Sequence, residues 1–196
     1  MTILVDAGLL ILAYCCGSLP FAVWVTHWKK GVDVRQSGSG HATSTNTIRQ
    51  AGFAAGVLVF ILDLMKGFLP VFLAGQLGSE AWIVPLTAGL VVIGHCWPVF
   101  AGFRGGMGLA SAGGAILAVS PLGFLIAVGL LIFLVLVIRH SARAGLFAGL
   151  LTPFILWLIG LRGDPIWVSL AVGLVVAFRF VEDWNRKYRE LWLDRA

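Results

Sequence analysis

The chain has 196 residues, of which 59% are hydrophobic and 12% charged, and its mean hydropathy is +0.96. A soluble globule of this length cannot bury so much apolar surface, so a water-soluble domain is excluded and an integral membrane protein is implied. The net charge of +5 comes from cations gathered between apolar runs, a pattern of membrane orientation that implies lipid contact and no nucleic-acid partner.

Apolar spans are predicted near 3–26, 51–74, 82–100, 109–119, 121–138, 144–160 and 165–180. Backbone polar groups inside a bilayer must be paired internally, so these runs read as helices. The first span opens without a basic n-region, carries Asp6 and lacks a small-residue cleavage site, so it reads as a retained helix, not a leader. Cys15, Cys16 and Cys96 have no metal-ligand spacing and read as packing residues. In the second span Asp63 and Lys66 stand three apart on one helix face, as an ion pair tying this helix to its neighbours or as part of a site. The fourth span is short and rich in Gly and Ala. Ser120-Pro121 then predicts a tight turn into an antiparallel fifth helix. Trp24, Trp28, Trp82, Trp97 and Trp184 fall near span ends, where indoles anchor a helix at the headgroups.

Seven spans leave every Lys and Arg on one side except Lys66, within a span, and Arg162. The positive-inside rule then predicts an all-α integral membrane protein with seven transmembrane helices, its N-terminus outside and its C-terminus cytoplasmic. Without an internal repeat or long linker, residues 1–196 read as one domain.

Two glycine-rich polar stretches share the predicted cytoplasmic side. One runs from Ser37-Gly38-Ser39-Gly40-His41 to Arg49, and the other from Gly94-His95 to Phe103-Arg104-Gly105-Gly106-Met107-Gly108. Glycine turns can aim several N–H groups at one anion, and Arg49 and Arg104 supply neutralising charge, so the pair points to phosphate held at a membrane surface. Either phosphate contact or a solvent-facing role fits His41, and either function or carbonyl capping fits His95. The stretches 37–49 and 101–108 are expected to converge on a shared anion beside Arg179 or Arg143.

Gly38-Ser39-Gly40, Thr45-Asn46, Arg49, Leu62-Asp63, Lys66-Gly67, Gly94-His95, Pro98, Phe100 and Phe103-Arg104-Gly105-Gly106 with Gly108 resemble the PlsY family in order and spacing. These are bacterial membrane glycerol-3-phosphate acyltransferases that use acyl phosphate. The resemblance implies acyl transfer to the primary hydroxyl of glycerol 3-phosphate at the inner membrane, in phospholipid biosynthesis, with lysophosphatidic acid and phosphate as products. It implies no cofactor, metal or obligatory protein partner. It places Ser39, Arg49, Arg104 and His95 as catalytic residues. Ser37, Gly38, Gly40, His41, Thr45, Asn46, Gly105, Gly106, Gly108, Arg143, Arg179 and Glu182 become the phosphate-binding set. Met107 stands where the family carries a second Lys, Phe180 where it carries His, and Asp183 where it carries Asn. These departures keep two alternatives open: an acyltransferase for another phosphorylated alcohol, and a non-catalytic binding or transport protein on the same scaffold.

Overall fold

A computed structural model describes residues 2–186, and these are all helix, turn or loop. In chain order the helices are α1 (Thr2–Gly17), α2 (Phe21–Lys30), α3 (Ser44–Ala51), α4 (Phe53–Leu77), α5 (Ile83–Cys96), α6 (Leu109–Val119), α7 (Pro121–Ile138), α8 (Ser141–Leu158) and α9 (Asp164–Val181). The basic tail residues Lys187, Arg189 and Arg195 lie outside the described residues.

Among the described residues, six segments are long and apolar enough to cross a membrane: Thr2–Lys30, Phe53–Leu77, Ile83–Ala101, Pro121–Ile138, Ser141–Leu158 and Asp164–Val181. The expected span at 109–119 is a helix, but its 11 residues rise only about 16 Å, short of a hydrocarbon core of about 30 Å. Ser120 separates it from α7 by capping, its Oγ accepting from the Gly123 N–H at 2.9 Å. The first predicted span is broken as well. Pro20 cannot continue a helix, so α1 ends at Gly17 and α2 begins at Phe21. Trp24, Trp28 and Lys30 of α2 are exposed.

Glycines let the helices approach to backbone contact. A Cβ on Gly17 would strike the Val91 carbonyl, on Gly94 that of Tyr14, on Gly67 that of Ser111, and on Gly114 that of Leu64. The pairs α1/α5 and α4/α6 are therefore held by backbone proximity and dispersion, the interactions that remain when lipid is as apolar as the side chains. Gly149 and Gly173 fasten α8 to α9 in the same way. These contacts fix α6 in the centre of the bundle, against α4, α5, α7 and α9. α7 is peripheral, with Gly123 its buried residue.

The two ends of the bundle differ. At one, the Asp6 carboxylate accepts from the Ser79 N–H at 3.0 Å and from the Ser79 hydroxyl, and Arg162 caps the carbonyls of Trp157 and Leu161. At the other, both glycine-rich stretches meet the first turn of α8 and the turn after α9.

Candidate active site

The first stretch is shaped from within by Asn46. Its side-chain nitrogen faces the carbonyls of Val34, Ser37 and His41 at 2.8, 3.1 and 3.1 Å, and its Oδ1 accepts from the Ser39 N–H at 3.3 Å. The residue is fully buried. Gln50 adds bonds to the Val34 and Ser37 carbonyls. Gly38 and Gly40 adopt positive φ, +61° and +71°, and a Cβ on Gly38 would collide with Asn46 Oδ1. Asn46 is expected as a phosphate contact; in this structure its side-chain groups are bonded to the loop.

The second stretch folds back on the end of α5 through its backbone. Gly105 N–H donates to the Cys96 carbonyl at 3.2 Å and Gly106 N–H to that of His95 at 3.1 Å, while the Gly105 carbonyl accepts from Ala42 N–H at 3.2 Å. That last bond joins the two stretches. A Cβ on Gly106 would strike His95 Nε2, and one on Gly105 the His95 carbonyl. The two glycines are buried, and their N–H groups are bonded to carbonyls at the end of α5. Arg35, salt-bridged to Asp33 at 2.7 Å, donates to the Ala101 and Arg104 carbonyls at 2.6 and 3.2 Å and braces the far side of the loop. That hydrogen-bonded guanidinium holds the Asp33 carboxyl below the usual carboxylate range.

Between the stretches lies a cavity of about 170 Å³. Of the expected site residues it is lined by Ser39, His41, Thr45, Arg49, His95 and Gly108. Thr43, Ser44, Asp63, Met107 and Ser141 also line it. Three helix N-termini open here: α3 at Thr43–Thr45, α6 at Gly108–Ala110 and α8 at Ser141. Gly108 brings no capping side chain and has φ +86°, which turns the chain abruptly into α6. Backbone N–H groups and aligned dipoles at a helix start favour an anion, so these starts add to the charge of Arg49, with one N–H of α3 capped by Thr43 and one of α8 by His140. At its floor the buried Asp63 pairs with Lys66 at 2.8 Å and lies 3.6 Å from His95 Nδ1, and Lys66 also donates to the Leu19 carbonyl at 2.9 Å. The Asp63–Lys66 pair is thus both a tie between helices and a wall of the site.

The other expected residues sit around the cavity. Ser37 is exposed, with its carbonyl bound by Asn46 and Gln50. Arg104 is exposed and does not line the cavity. Arg143 stacks on the Trp184 ring at 5.1 Å and faces the Trp184 carbonyl at 3.4 Å, so it bolts the last turn to α8. Glu182 pairs with Arg179, as a carboxylate suits a guanidinium better than a phosphate. Arg179, buried on α9, donates to the Gly106 carbonyl at 3.1 Å and lies 5.5 Å from the Trp97 ring. On the far side of Leu109 a second, apolar slot of about 70 Å³ runs between α6, α7, α8 and α9 past Ile116, Val128, Thr152 and Val172.

Residues 7–190 match the sequence profile of the family described as glycerol-3-phosphate acyltransferase. The chain belongs to that family. The glycerol-3-phosphate acyltransferase of Aquifex aeolicus is 36% identical over 183 residues, covering 91% of this chain and 93% of the relative. That of Rubrobacter xylanophilus is 35% identical over 185 residues, covering 92% and 90%. Two solved structures of PlsY, an integral membrane glycerol 3-phosphate acyltransferase, share the fold. Its glycerol 3-phosphate form superposes with a TM-score of 0.82 and its lysophosphatidic acid form with 0.81; each is 35% identical and covers 92% of this chain and 90% of the other. Family membership joins the glycine-rich stretches to acyl transfer. The cavity then shows which family positions face one another in this chain.

Proposed function

We propose that this protein transfers an acyl group from a long-chain acyl phosphate to the primary hydroxyl of glycerol 3-phosphate, giving lysophosphatidic acid and inorganic phosphate for phospholipid biosynthesis. The reaction belongs at the cytoplasmic face of the bacterial inner membrane, with the N-terminus outside and seven crossings: six by the full-length segments and the seventh by the short α6, buried among them. Charge asymmetry supports that orientation, since the site and the cations of 27–50, 101–108 and 139–143 share one end.

One observation carries the reading: a cavity fit for anions, with Arg49 and three helix starts in its wall, shares Leu109 as a common wall with an apolar slot on the other side. Such a junction suits an activated lipid whose phosphate is polar and whose tail is not. The acyl phosphate head lies against the start of α6 and its tail passes along the slot. Glycerol 3-phosphate lies by Ser39, Thr45 and Arg49. Attack of the hydroxyl oxygen on the acyl carbonyl forms the ester C–O bond, the bond to phosphate breaks, and the hydroxyl proton leaves on the departing phosphate. No nucleophilic residue is needed, because acyl phosphate is already activated. The protein supplies proximity, orientation and stabilisation of charge on the carbonyl and leaving phosphate. His95, packed between Asp63 and Gly106, lines the reacting space.

Purified protein in detergent, given palmitoyl phosphate and labelled glycerol 3-phosphate, should form labelled lysophosphatidic acid and phosphate in equal amounts. Phosphate release without lysophosphatidic acid would contradict the reading.

A further inference from the structure

The turn after α9 places a carboxylate behind an anion site. Asp183 is 5% exposed, and its Oδ2 lies 2.9 Å from Nε2 of His41, which itself lines the cavity. At that range, inside a Debye length of about 8 Å, an uncompensated carboxylate would repel phosphate. It is compensated: Arg186 Nη1 lies 3.2 and 3.3 Å from the two Asp183 oxygens, and Arg186 also reaches the Ser39 carbonyl. On its other edge His41 offers Nδ1 to Arg179 Nη2 at 3.4 Å. A single tautomer fits both contacts. Nε2–H donates to Asp183 and Nδ1 accepts from Arg179, while Arg186, 2.8 Å from Nε2, directs its hydrogens to the carboxylate. Arg179 in turn holds the Gly106 carbonyl. The imidazole therefore links the first glycine stretch, the second, α9 and the last turn.

We propose that His41 is a positioning residue that works as a unit with Asp183: the pair keeps Arg179 and the Ser39 turn in register around the cavity. The proposal rests on the acyltransferase reading. A carboxylate that orients an imidazole at a site is a common pairing, and here the two partners come from residues 142 apart in the chain. Neither partner serves alone. His41 without Asp183 loses the acceptor that fixes its tautomer, and Asp183 without His41 keeps Arg186 but loses its link to Arg179.

The test is a double-mutant cycle on the full-length enzyme, reading kcat and KM for glycerol 3-phosphate at saturating palmitoyl phosphate. His41→Ala should raise KM by about tenfold or more with a smaller change in kcat, the size of one lost charge-assisted contact. Asp183→Ala should do the same, and adding it to His41→Ala should raise KM no further, because the two residues act as one unit. Asp183→Asn, which keeps an acceptor for Nε2–H, should fall clearly between wild type and Asp183→Ala and covers the case in which an alanine variant does not fold. If the two alanine effects simply multiply, the pairing is wrong. Asp183→Asn as impaired as Asp183→Ala would also overturn it. Wild-type enzyme without glycerol 3-phosphate-dependent turnover would instead overturn the acyltransferase reading and this inference with it.

Discussion

The two glycine-rich stretches look alike in sequence and are built by opposite means. In the first, a side chain organises the backbone: Asn46 gathers three carbonyls and one N–H, and Gly38 and Gly40 are needed for positive φ. In the second, the backbone organises itself against α5, and Gly105 and Gly106 are needed because a Cβ has no room there. Glycine in these two stretches therefore has two distinct physical meanings. The difference also divides the labour, since the first stretch contributes Ser39, His41, Thr45 and Arg49 to the cavity, whereas the second contributes chiefly the helix start at Gly108.

That contrast can be broken at its strongest point by Gly106→Ala. The new methyl meets His95 Nε2 and the Ala42 carbonyl at once, one of them backbone, so the loop or α5 must move. Activity should fall by about a hundredfold or more, because a displacement of about 1 Å at a reacting centre has that cost. Gly40→Ala, where a Cβ has nothing nearer than 3.8 Å, should lose far less and show mainly the strain of its φ. Asn46→Ala comes next. It leaves buried carbonyls and an N–H without their partner, so stability should drop by about 3 kcal/mol or more, seen as a lower unfolding temperature in detergent and as loss of activity. Asn46→Asp should not rescue it, since a carboxylate accepts and cannot donate to the carbonyls. The smallest effect is expected at the brace. Asp33, stabilised as the anion by Arg35, contributes at pH above the usual carboxylate range, and the contribution is lost as pH falls through its lowered value. The pair is partly exposed, so acidification should cost wild type less than about 1 kcal/mol relative to Asp33→Asn, measured as the difference between their unfolding curves from pH 6 to 3.

Much of this was legible in the chain because membranes enforce simple rules. Runs such as 121–138 and 165–180 had to be helices, and the breaks at Ser120-Pro121 and around both glycine stretches followed from residue chemistry. The break at Pro20 was equally available from proline's missing N–H, but the apolar run on either side masked it. Residue type located the site and could not say which groups face inward. Asn46, Arg143 and Arg179 all have phosphate-binding chemistry, yet each is engaged by carbonyls or a ring, and the Glu182 carboxylate pairs with Arg179. The helix start of α8 at Ser141 arrives from 98 residues beyond Thr43, a distance in sequence over which no local pattern reports. Likewise Asp183, which reads as a poor neighbour for phosphate, is engaged by His41 and Arg186.

The central claim is that acyl transfer takes place in the cavity between the stretches, and two arginines test it. Arg49 lines that cavity, whereas Arg104 lies exposed outside it. Measured side by side as kcat/KM for glycerol 3-phosphate with palmitoyl phosphate as donor, Arg49→Ala should lose about a hundredfold or more and Arg104→Ala no more than about threefold. Equal losses, or a larger loss at Arg104, would contradict the placement of the site.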